Sequence, residues 1–350
     1  MSLMLHEMLL GGGETGVSGP YSGYLALGNS FTAPYISAYP WSPAGFGAKV
    51  ATPASAPAGN GQGIRFSNDG KYVALAHTNS PFITVYNWAG GFGAKVANPA
   101  ALPFGECSEV IFSKNDAFLI TADNATPFVS AYPWSNGFGA KIAAPATSPT
   151  GKAYGVALNP DETFLAISHS TSPFVSVYPW SGSFGAKVAN PATLPAGTAY
   201  GVTFSPDGKY IAMVHSGTPF LAVYEWNNGF GVKSANPATL PTVSAMAPAS
   251  GIAFSFSGSY LAVSTGTNPY IYVYPFNNGV FGTIFASPAV IPNGSSPAVT
   301  FSPDDAFVFV GHGTSKYISV YGWSATGFGS RIADPAAFPT GKVESLSFSP

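Results

Sequence analysis

The sequence predicts an all-β protein, a seven-bladed β-propeller of four-stranded antiparallel blades. One sign is a repeat of 46 to 50 residues, marked by a hydrophobic residue in each unit: Phe66, Phe112, Leu158, Phe204, Phe254, Phe301 and Phe348. A tyrosine marks the same seven units: Tyr39, Tyr86, Tyr132, Tyr178, Tyr224, Tyr274 and Tyr321. Repeats of about this length that read as four short strands are typical of propeller blades.

The strands of one unit are clearest in the repeat that begins at Gly201. Its first strand, YGVTFSP, ends at a Pro-Asp-Gly turn, and Asp-Gly pairs tolerate the positive φ that reverses a chain. The second and third strands are KYIAMVH and FLAVYEW, and NNGFGVKSANP supplies a turn and a short fourth strand. Both faces of the third strand are largely apolar, so neighbouring blades must cover each sheet on both sides.

The last unit of the repeat holds only one strand. Residues 343–350 read as a first strand, whereas the first unit begins at Gly23 with what reads as a second strand. We therefore expect a closing blade formed from residues 23–56 together with residues 342–350, in a propeller that spans residues 21–350. Residues 1–20 lie outside the repeat, and we expect them to tether the protein to a partner.

Composition excludes several classes of protein. Charged residues are 8% of the chain, and 41 glycines with 32 prolines would break helices throughout. A formal charge of −2 offers no attraction for nucleic acid. No apolar run reaches the roughly 20 residues that span a bilayer, so we expect no membrane insertion. The N-terminus lacks the basic start of a secretion signal, and we expect folding in the cytoplasm.

Histidines and carboxylates recur at fixed positions of the repeat. The end of the second strand carries His77, His169, His215 and His312. We expect these rings to hydrogen-bond locally and to lie too far apart for a shared metal site, although they could do more than cap turns. The turn after the first strand carries Asp69, Asp116, Asp161, Asp207, Asp304 and Asp305, where such side chains cap turns.

The channel positions expected from the repeat do not suggest an enzyme. They read Arg65, Ile111, Ala157, Thr203, Ala253, Thr300 and Ser347, which supply none of the metal-binding carboxylates of propeller lactonases. With one cysteine, Cys107, and no nucleophile motif, we expect no catalytic residues, no metal and no cofactor.

Candidate ligand-binding residues therefore lie in the loops at one face. The connections that lead into the first strands place Phe104, Glu106, Glu109, Tyr154, Tyr200 and Glu344 near the channel mouth. The connection around Met246 is four residues longer than the others, 17 against 13 from proline marker to first-strand marker. An insertion in one blade breaks the symmetry of the repeat and can create a unique site, although it can also be neutral.

Two resemblances suggest a family. GVTFSPDGKYIAMVHSGTPFLAVYEW resembles the blade core of WD-repeat propellers, with Tyr224 and Glu225 at the Trp-Asp positions. The other blades have mostly proline at the acidic position, so the family's His–Asp pair is not expected. The phrases GFGAKVANPATLP and SPFVSVYPW more closely resemble repetitive propellers of tailed-bacteriophage virions, over nearly the whole chain from about Tyr21.

The phage resemblance implies a function that composition alone does not. Our leading hypothesis is a non-enzymatic virion protein of the tail or capsid exterior, assembled in the host cytoplasm and not secreted by the Sec route. Residues 1–20 would bind other virion proteins, and the loop face would contact the host surface. One alternative is a glycan-binding, lectin-like module that uses Tyr154 and Tyr200 as stacking platforms. A second alternative is a lactonase-like hydrolase.

Overall fold

A computed structural model describes residues 19–242 and 251–350 of the chain. Within these ranges the protein forms 26 strands and no helix. No helix long and apolar enough to cross a membrane is therefore found in the described residues. Residues 1–18 of the expected tether and the expected site residue Met246 lie outside them.

The strands are short and follow the repeat closely. In chain order they are β1 (Gly23–Ser30), β2 (Ile36–Ser42), β3 (Gly45–Phe46), β4 (Gly61–Phe66), β5 (Tyr72–His77), β6 (Ile83–Trp88), β7 (Phe92–Lys95), β8 (Cys107–Phe112), β9 (Phe118–Asp123), β10 (Val129–Pro133), β11 (Ala153–Leu158), β12 (Phe164–His169), β13 (Val175–Pro179), β14 (Ala199–Phe204), β15 (Tyr210–His215), β16 (Leu221–Trp226), β17 (Phe230–Lys233), β18 (Ile252–Phe254), β19 (Tyr260–Ser264), β20 (Ile271–Asn277), β21 (Val280–Phe281), β22 (Ala298–Phe301), β23 (Phe307–Gly311), β24 (Ile318–Ser324), β25 (Gly327–Arg331) and β26 (Lys342–Phe348).

These strands form seven antiparallel sheets, which are the blades of a propeller, so the predicted fold class is confirmed. Blade 1 has the order β26-β1-β2-β3, and blade 2 contains β4 to β7. Blades 3 and 4 contain β8 to β10 and β11 to β13, and single bridges, Trp134–Phe138 and Trp180–Phe184, stand where the others have a fourth strand. Blades 5, 6 and 7 contain β14 to β17, β18 to β21 and β22 to β25.

The C-terminal strand closes the ring as expected. Strand β26 pairs antiparallel with β1, which places Leu25 opposite Phe348 and Leu27 opposite Leu346. The half-buried Phe348 ring lies 5.3 Å from the Tyr21 ring and 4.9 Å from that of Phe309 in blade 7. The closing blade thus contacts its neighbour through residues from both ends of the sequence.

The repeated tyrosine ties each blade to the connection that leads into it. All seven tyrosines are buried, and each hydroxyl donates to a backbone carbonyl oxygen at 2.6 to 2.9 Å. In blade 4, for example, Tyr178 donates to the carbonyl of Thr147 at 2.7 Å. Because each bond joins a buried side chain to the backbone of a connection, it fixes the path of the chain between blades.

A second ring of contacts joins each blade to the next through aromatic side chains. An aromatic residue on the second strand of one blade packs edge-on against an aromatic residue on the third strand of the following blade. This second residue is a tryptophan in every blade except blade 6, where it is Phe276. Ring centroids are 5.1 to 5.4 Å apart. The contact of Phe307 with Trp41 belongs to this set and joins blade 7 to blade 1. The circle of aromatic contacts around the propeller is therefore closed as well.

The acidic turn residues divide into two groups with different partners. Asp69, Asp161, Asp207 and Asp304 cap their own turns, as expected. Asp116 and Asp305 instead reach the turn of the preceding blade, where Asp305 accepts hydrogen bonds from the amides of Phe256 and Ser257 at 2.7 and 2.8 Å. The expectation for these two was wrong because both have positive φ, which aims their side chains at the neighbour.

Candidate functional site

A channel of about 860 Å³ runs along the axis of the ring between the seven first strands. These strands are β26, β4, β8, β11, β14, β18 and β22 for blades 1 to 7. A volume of this size lies within the range of small-molecule binding sites, roughly 300–1,000 Å³. The channel is therefore the candidate functional site.

Irregularities in the first strands bring side chains into this channel. In blades 1 to 5 the pairing of the first and second strands shifts register near the same end. The residues at these shifts line the cavity: Glu344, Gln62, Ser108, Tyr154 and Tyr200. A β-bulge re-aims a side chain and is common beside active sites. Three of the expected loop residues, Tyr154, Tyr200 and Glu344, thus line the channel, the two tyrosines on one wall and Glu344 on the wall of blade 1.

Glu109 occupies a position where other blades have almost no side chain. The equivalent residues of the other six blades are Ser345, Gly63, Gly155, Gly201, Gly251 and Ala298. The strands approach so closely that a Cβ added to Gly63 would lie 2.6 Å from both Cα and Oε1 of Glu109. A glycine in blade 2 therefore provides the space in which the Glu109 carboxylate lies.

The Glu109 carboxylate lies within electrostatic range of a cation in the channel, Arg65. One oxygen, Oε1, accepts the amide hydrogen of Val110 at 2.9 Å. Burial raises the pKa of Glu109, and the nearby Arg65 guanidinium only partly opposes this shift. Arg65 lies in blade 2 and is the only charged residue among the seven channel positions expected from the repeat. A carboxyl with a raised pKa beside a fixed positive charge is an arrangement common in acid–base sites.

Ion pairs surround the end of the channel nearest the bulges. Lys342 Nζ lies 3.0 Å from Glu344 Oε2, and the other oxygen of Glu344 accepts from Ser30 Oγ at 2.6 Å. Lys152 Nζ lies 3.4 Å from Glu106 Oε1 in the preceding blade. Lysine and carboxylate thus alternate at this mouth, which leaves it polar but near neutral.

The two tyrosines of the channel wall form an aromatic pair. The rings of Tyr154 and Tyr200 are 5.2 Å apart at 71°, an edge-to-face arrangement. Lys152 Nζ lies 5.3 Å from the centroid of the Tyr154 ring. Burial raises the pKa of both hydroxyls, so both remain protonated donors at neutral pH.

Blade 1 carries an inserted phenylalanine at the same mouth. In blade 1 the proline of this turn, Pro34, lies five positions after Asn29, whereas in blade 2 Pro81 lies four positions after the equivalent His77. The extra residue is Phe31, which lines the cavity, is 72% exposed and has a φ of 78°. Its amide donates to Asn60 Oδ1 at 3.0 Å.

The remaining expected ligand-binding residues lie elsewhere. Phe104 is outside the cavity, with its ring 3.5 Å beneath Lys141 Nζ, and its amide donates to Asp123 Oδ2 at 3.3 Å. Met246 is not among the described residues. Reasoning from the repeat overlooked Lys152, Lys342 and Phe31, which also line the channel. The insertion of Phe31 could have been found by counting residues between second strand and proline.

The four repeated histidines belong to the blade interiors and not to the channel. Three of the buried rings form hydrogen bonds of 3.0 to 3.1 Å with a hydroxyl on the third strand, in the pairs His77–Thr84, His169–Ser176 and His312–Ser319. In blade 5, Ala222 stands where the others have this hydroxyl. Burial lowers the pKa of all four histidines to about 4. In the described ranges, no three His, Cys, Asp or Glu side chains are grouped as a metal site would need.

Solved structures with the same ring are known from bacteria. A candidate 6-phosphogluconolactonase of Bacteroides fragilis has a TM-score of 0.74 at 14% identity, covering 94% of this chain and 98% of its own. The periplasmic gluconolactonase of Pseudomonas aeruginosa has a TM-score of 0.73 at 16% identity, covering 94% and 99%. A candidate 6-phosphogluconolactonase of Bacteroides uniformis has a TM-score of 0.70 at 16% identity, covering 93% of this chain and 99% of its own. No family model and no curated protein sequence match.

These structures correct three of our expectations. The resemblance to phage virion propellers was wrong, because the three bacterial structures described above, which share this ring, are named as lactonases. The leading hypothesis of a non-enzymatic virion protein, and with it the expectation of no enzymatic activity, is contradicted by the same names. A physical reason for the wrong expectation of no enzymatic activity is that Glu109, a carboxylate that lines the channel, lies outside the seven channel positions expected from the repeat. At 14 to 16% identity the likeness itself establishes the fold alone.

Proposed function

We propose that this protein hydrolyses a sugar lactone in the channel, with Glu109 as the general base and Arg65 as the group that polarises the carbonyl. The observation that carries the proposal is the Glu109 carboxylate, placed between glycine-lined strands with a raised pKa and Arg65 nearby. A general base is most effective when its pKa lies near the working pH, and burial moves Glu109 in that direction.

The reaction needs one base, one positive charge and one water. Glu109 takes a proton from water as the water oxygen bonds to the lactone carbonyl carbon. The negative charge that develops on the carbonyl oxygen is stabilised by the Arg65 guanidinium. The ring C–O bond then breaks, and Glu109 returns the proton to the departing ring oxygen. Lactone and water become a hydroxy acid, and the carboxylate of Glu109 is regenerated.

The surroundings of these two residues suit a polyhydroxylated substrate. Gln62 and Ser108 line the cavity in the same two blades and offer side-chain donors and acceptors. The lactonase names of proteins that share the ring support a lactone over other esters. The choice between phosphorylated and unphosphorylated sugar lactones is left to the assay.

The test is hydrolysis of gluconolactone and 6-phosphogluconolactone, with the spontaneous rate subtracted. We expect Glu109→Gln to lower kcat/KM by about 100-fold or more, in the range of lost general-base catalysis. Arg65→Met should cause a loss of about 100-fold, as for removal of an oxyanion partner. Glu225→Gln, on the exposed side of blade 5, is the matched control and should leave kcat/KM unchanged.

The pH dependence provides an independent check. Because Glu109 must be deprotonated to act, kcat/KM should fall on the acid side, at a pH above the ordinary glutamate pKa of 4.5. If no sugar lactone is hydrolysed above the spontaneous rate, or if Glu109→Gln remains fully active, the proposed function is wrong.

A further inference from the structure

We propose that the channel takes lactones that carry a second sugar unit, and this inference rests on the proposed function. The lactone ring would lie at Glu109 and Arg65. The glycosyl unit would lie at the mouth, between Phe31 and the Tyr154–Tyr200 pair. The substrate class is therefore a disaccharide aldonolactone rather than a monosaccharide lactone.

Phe31 is the first observation behind this inference. Six blades form the same turn without this residue, so the fold does not require it. A phenylalanine that is 72% exposed leaves its ring in water, and a φ of 78° is unfavourable for any residue with a side chain. Its amide is nevertheless fixed by Asn60. Strained, exposed residues of this kind cluster at ligand sites, where contact with a ligand gives the ring a function.

The tyrosine pair is the second observation. Blade 1 lies across a seven-membered ring from blades 4 and 5, so Phe31 and the pair of Tyr154 and Tyr200 line opposite sides of one mouth. The faces of aromatic rings bind the apolar C–H faces of sugars, while the tyrosine hydroxyls can bond sugar hydroxyls. The residue pairs Lys342–Glu344 and Lys152–Glu106 surround this mouth with further hydrogen-bonding groups.

The dimensions of the channel are the third observation. Tyr200 lies three residues before Thr203, which is at the level of Arg65 in the repeat. At about 3.3 Å per residue this is about 10 Å along the strand, more than one pyranose ring spans. The cavity of about 860 Å³ also approaches the upper end of the range that encloses drug-sized ligands. In the repeat Glu109 is at the level of Gly201, next to Tyr200, so a lactone ring held by Arg65 and Glu109 would have the aromatic mouth directly beside it, with room in the cavity for a second sugar unit.

The experiment compares cellobionolactone with gluconolactone in the full-length protein and in Phe31→Gly. Glycine accepts the φ of 78°, so the variant removes the ring without adding strain, and its melting temperature should match that of the wild type. We expect the wild type to have about tenfold higher kcat/KM for cellobionolactone, the size of one aromatic contact. Phe31→Gly should abolish this preference by raising KM for cellobionolactone to the value for gluconolactone. Tyr200→Ala should act similarly, and Tyr200→Phe should retain most of the preference.

Binding of the product acids separates this inference from the proposed function. Calorimetry should show tighter binding of cellobionate than of gluconate, and Phe31→Gly should remove the difference. If both lactones are hydrolysed equally and Phe31→Gly alters neither, the inference is overturned while the proposed function stands. If neither lactone is hydrolysed but cellobionate binds through Phe31, the proposed function fails while the glycosyl site stands. Absence of any binding difference overturns the inference in either case.

Discussion

Acidification should destabilise this protein through its four buried histidines. An unfolded histidine has a pKa of 6.5, whereas burial lowers the pKa of His169 in the folded protein to about 4. Between these values the unfolded state binds more protons than the folded state, so stability falls as the pH falls from 6.5 towards 4. The informative perturbation is His169→Asn, because Asn29 in blade 1 already forms the equivalent bond, to Ser37 Oγ at 2.7 Å.

The expected magnitude follows from the two pKa values. A single group shifted from 6.5 to about 4 lowers the free energy of unfolding by about 2 kcal/mol between pH 7 and pH 5. The four histidines together should lower it by about 7 kcal/mol, which is comparable with the whole stability of many proteins. In His169→Asn this pH-dependent loss should be smaller by about 2 kcal/mol, although the variant is no more stable at pH 7.

Urea unfolding at pH 7 and pH 5 measures both quantities. Tyr178→Phe is a suitable control, since it removes a hydrogen bond in the same blade but no group that titrates in this range. The histidine resonances, followed by NMR, should show no titration in the folded protein until the pH approaches 4. If His169→Asn and the wild type lose the same stability between pH 7 and pH 5, the argument from buried neutral histidines is refuted.

Three further predictions concern the contacts that hold the ring together. Tyr178→Phe leaves the carbonyl of Thr147 without its donor and should lower the unfolding free energy by about 1 kcal/mol in urea, whereas no change would mean that the connection is held by other contacts. Asp305→Gly introduces the glycine that blades 2, 5 and 6 have at this turn and removes two hydrogen bonds to blade 6. The free energy of unfolding should fall by about 1–3 kcal/mol, and a more stable variant would contradict the role of Asp305 in joining blades 6 and 7. Deletion of residues 343–350 removes the strand paired with β1 and should cost more than about 3 kcal/mol, so a truncated protein that melts with the wild type would contradict ring closure.

The repeat made the fold predictable, and its exceptions made the site difficult to predict. Seven copies of one pattern specify four strands, their turns and the closing pair, because each copy needs the same contacts. The channel chemistry depends instead on single departures from the pattern. Glu109 replaces a glycine, and Phe31 is an extra residue in one turn. Such departures look like neutral variation in a sequence, since only the structure shows that both border the same cavity.

The local register shifts could also not be predicted from the sequence. Strict alternation along a first strand predicted the channel positions at Arg65 and its equivalents, and all of these except Ser347 line the cavity. The bulges add a second set, among them Tyr154 and Tyr200, because an extra residue in one strand changes the direction of its neighbours. Tyr154 and Tyr200, which were expected in loops at the mouth, therefore line the channel from bulged strands, and their role in binding a ligand stays a prediction.

The pairing of β1 with β26 has a consequence for synthesis on the ribosome. The two strands meet across about 320 residues of chain, and translation at 5–20 residues per second needs roughly 16–60 s to make that length. During this time blades can form in order, but the inner edge of blade 1 has no partner. An unpaired strand edge is a template for other chains, so the nascent protein is most vulnerable to aggregation just before its last strand emerges. Ring closure therefore waits for the synthesis of β26, and chaperones that bind exposed strands would act in this interval.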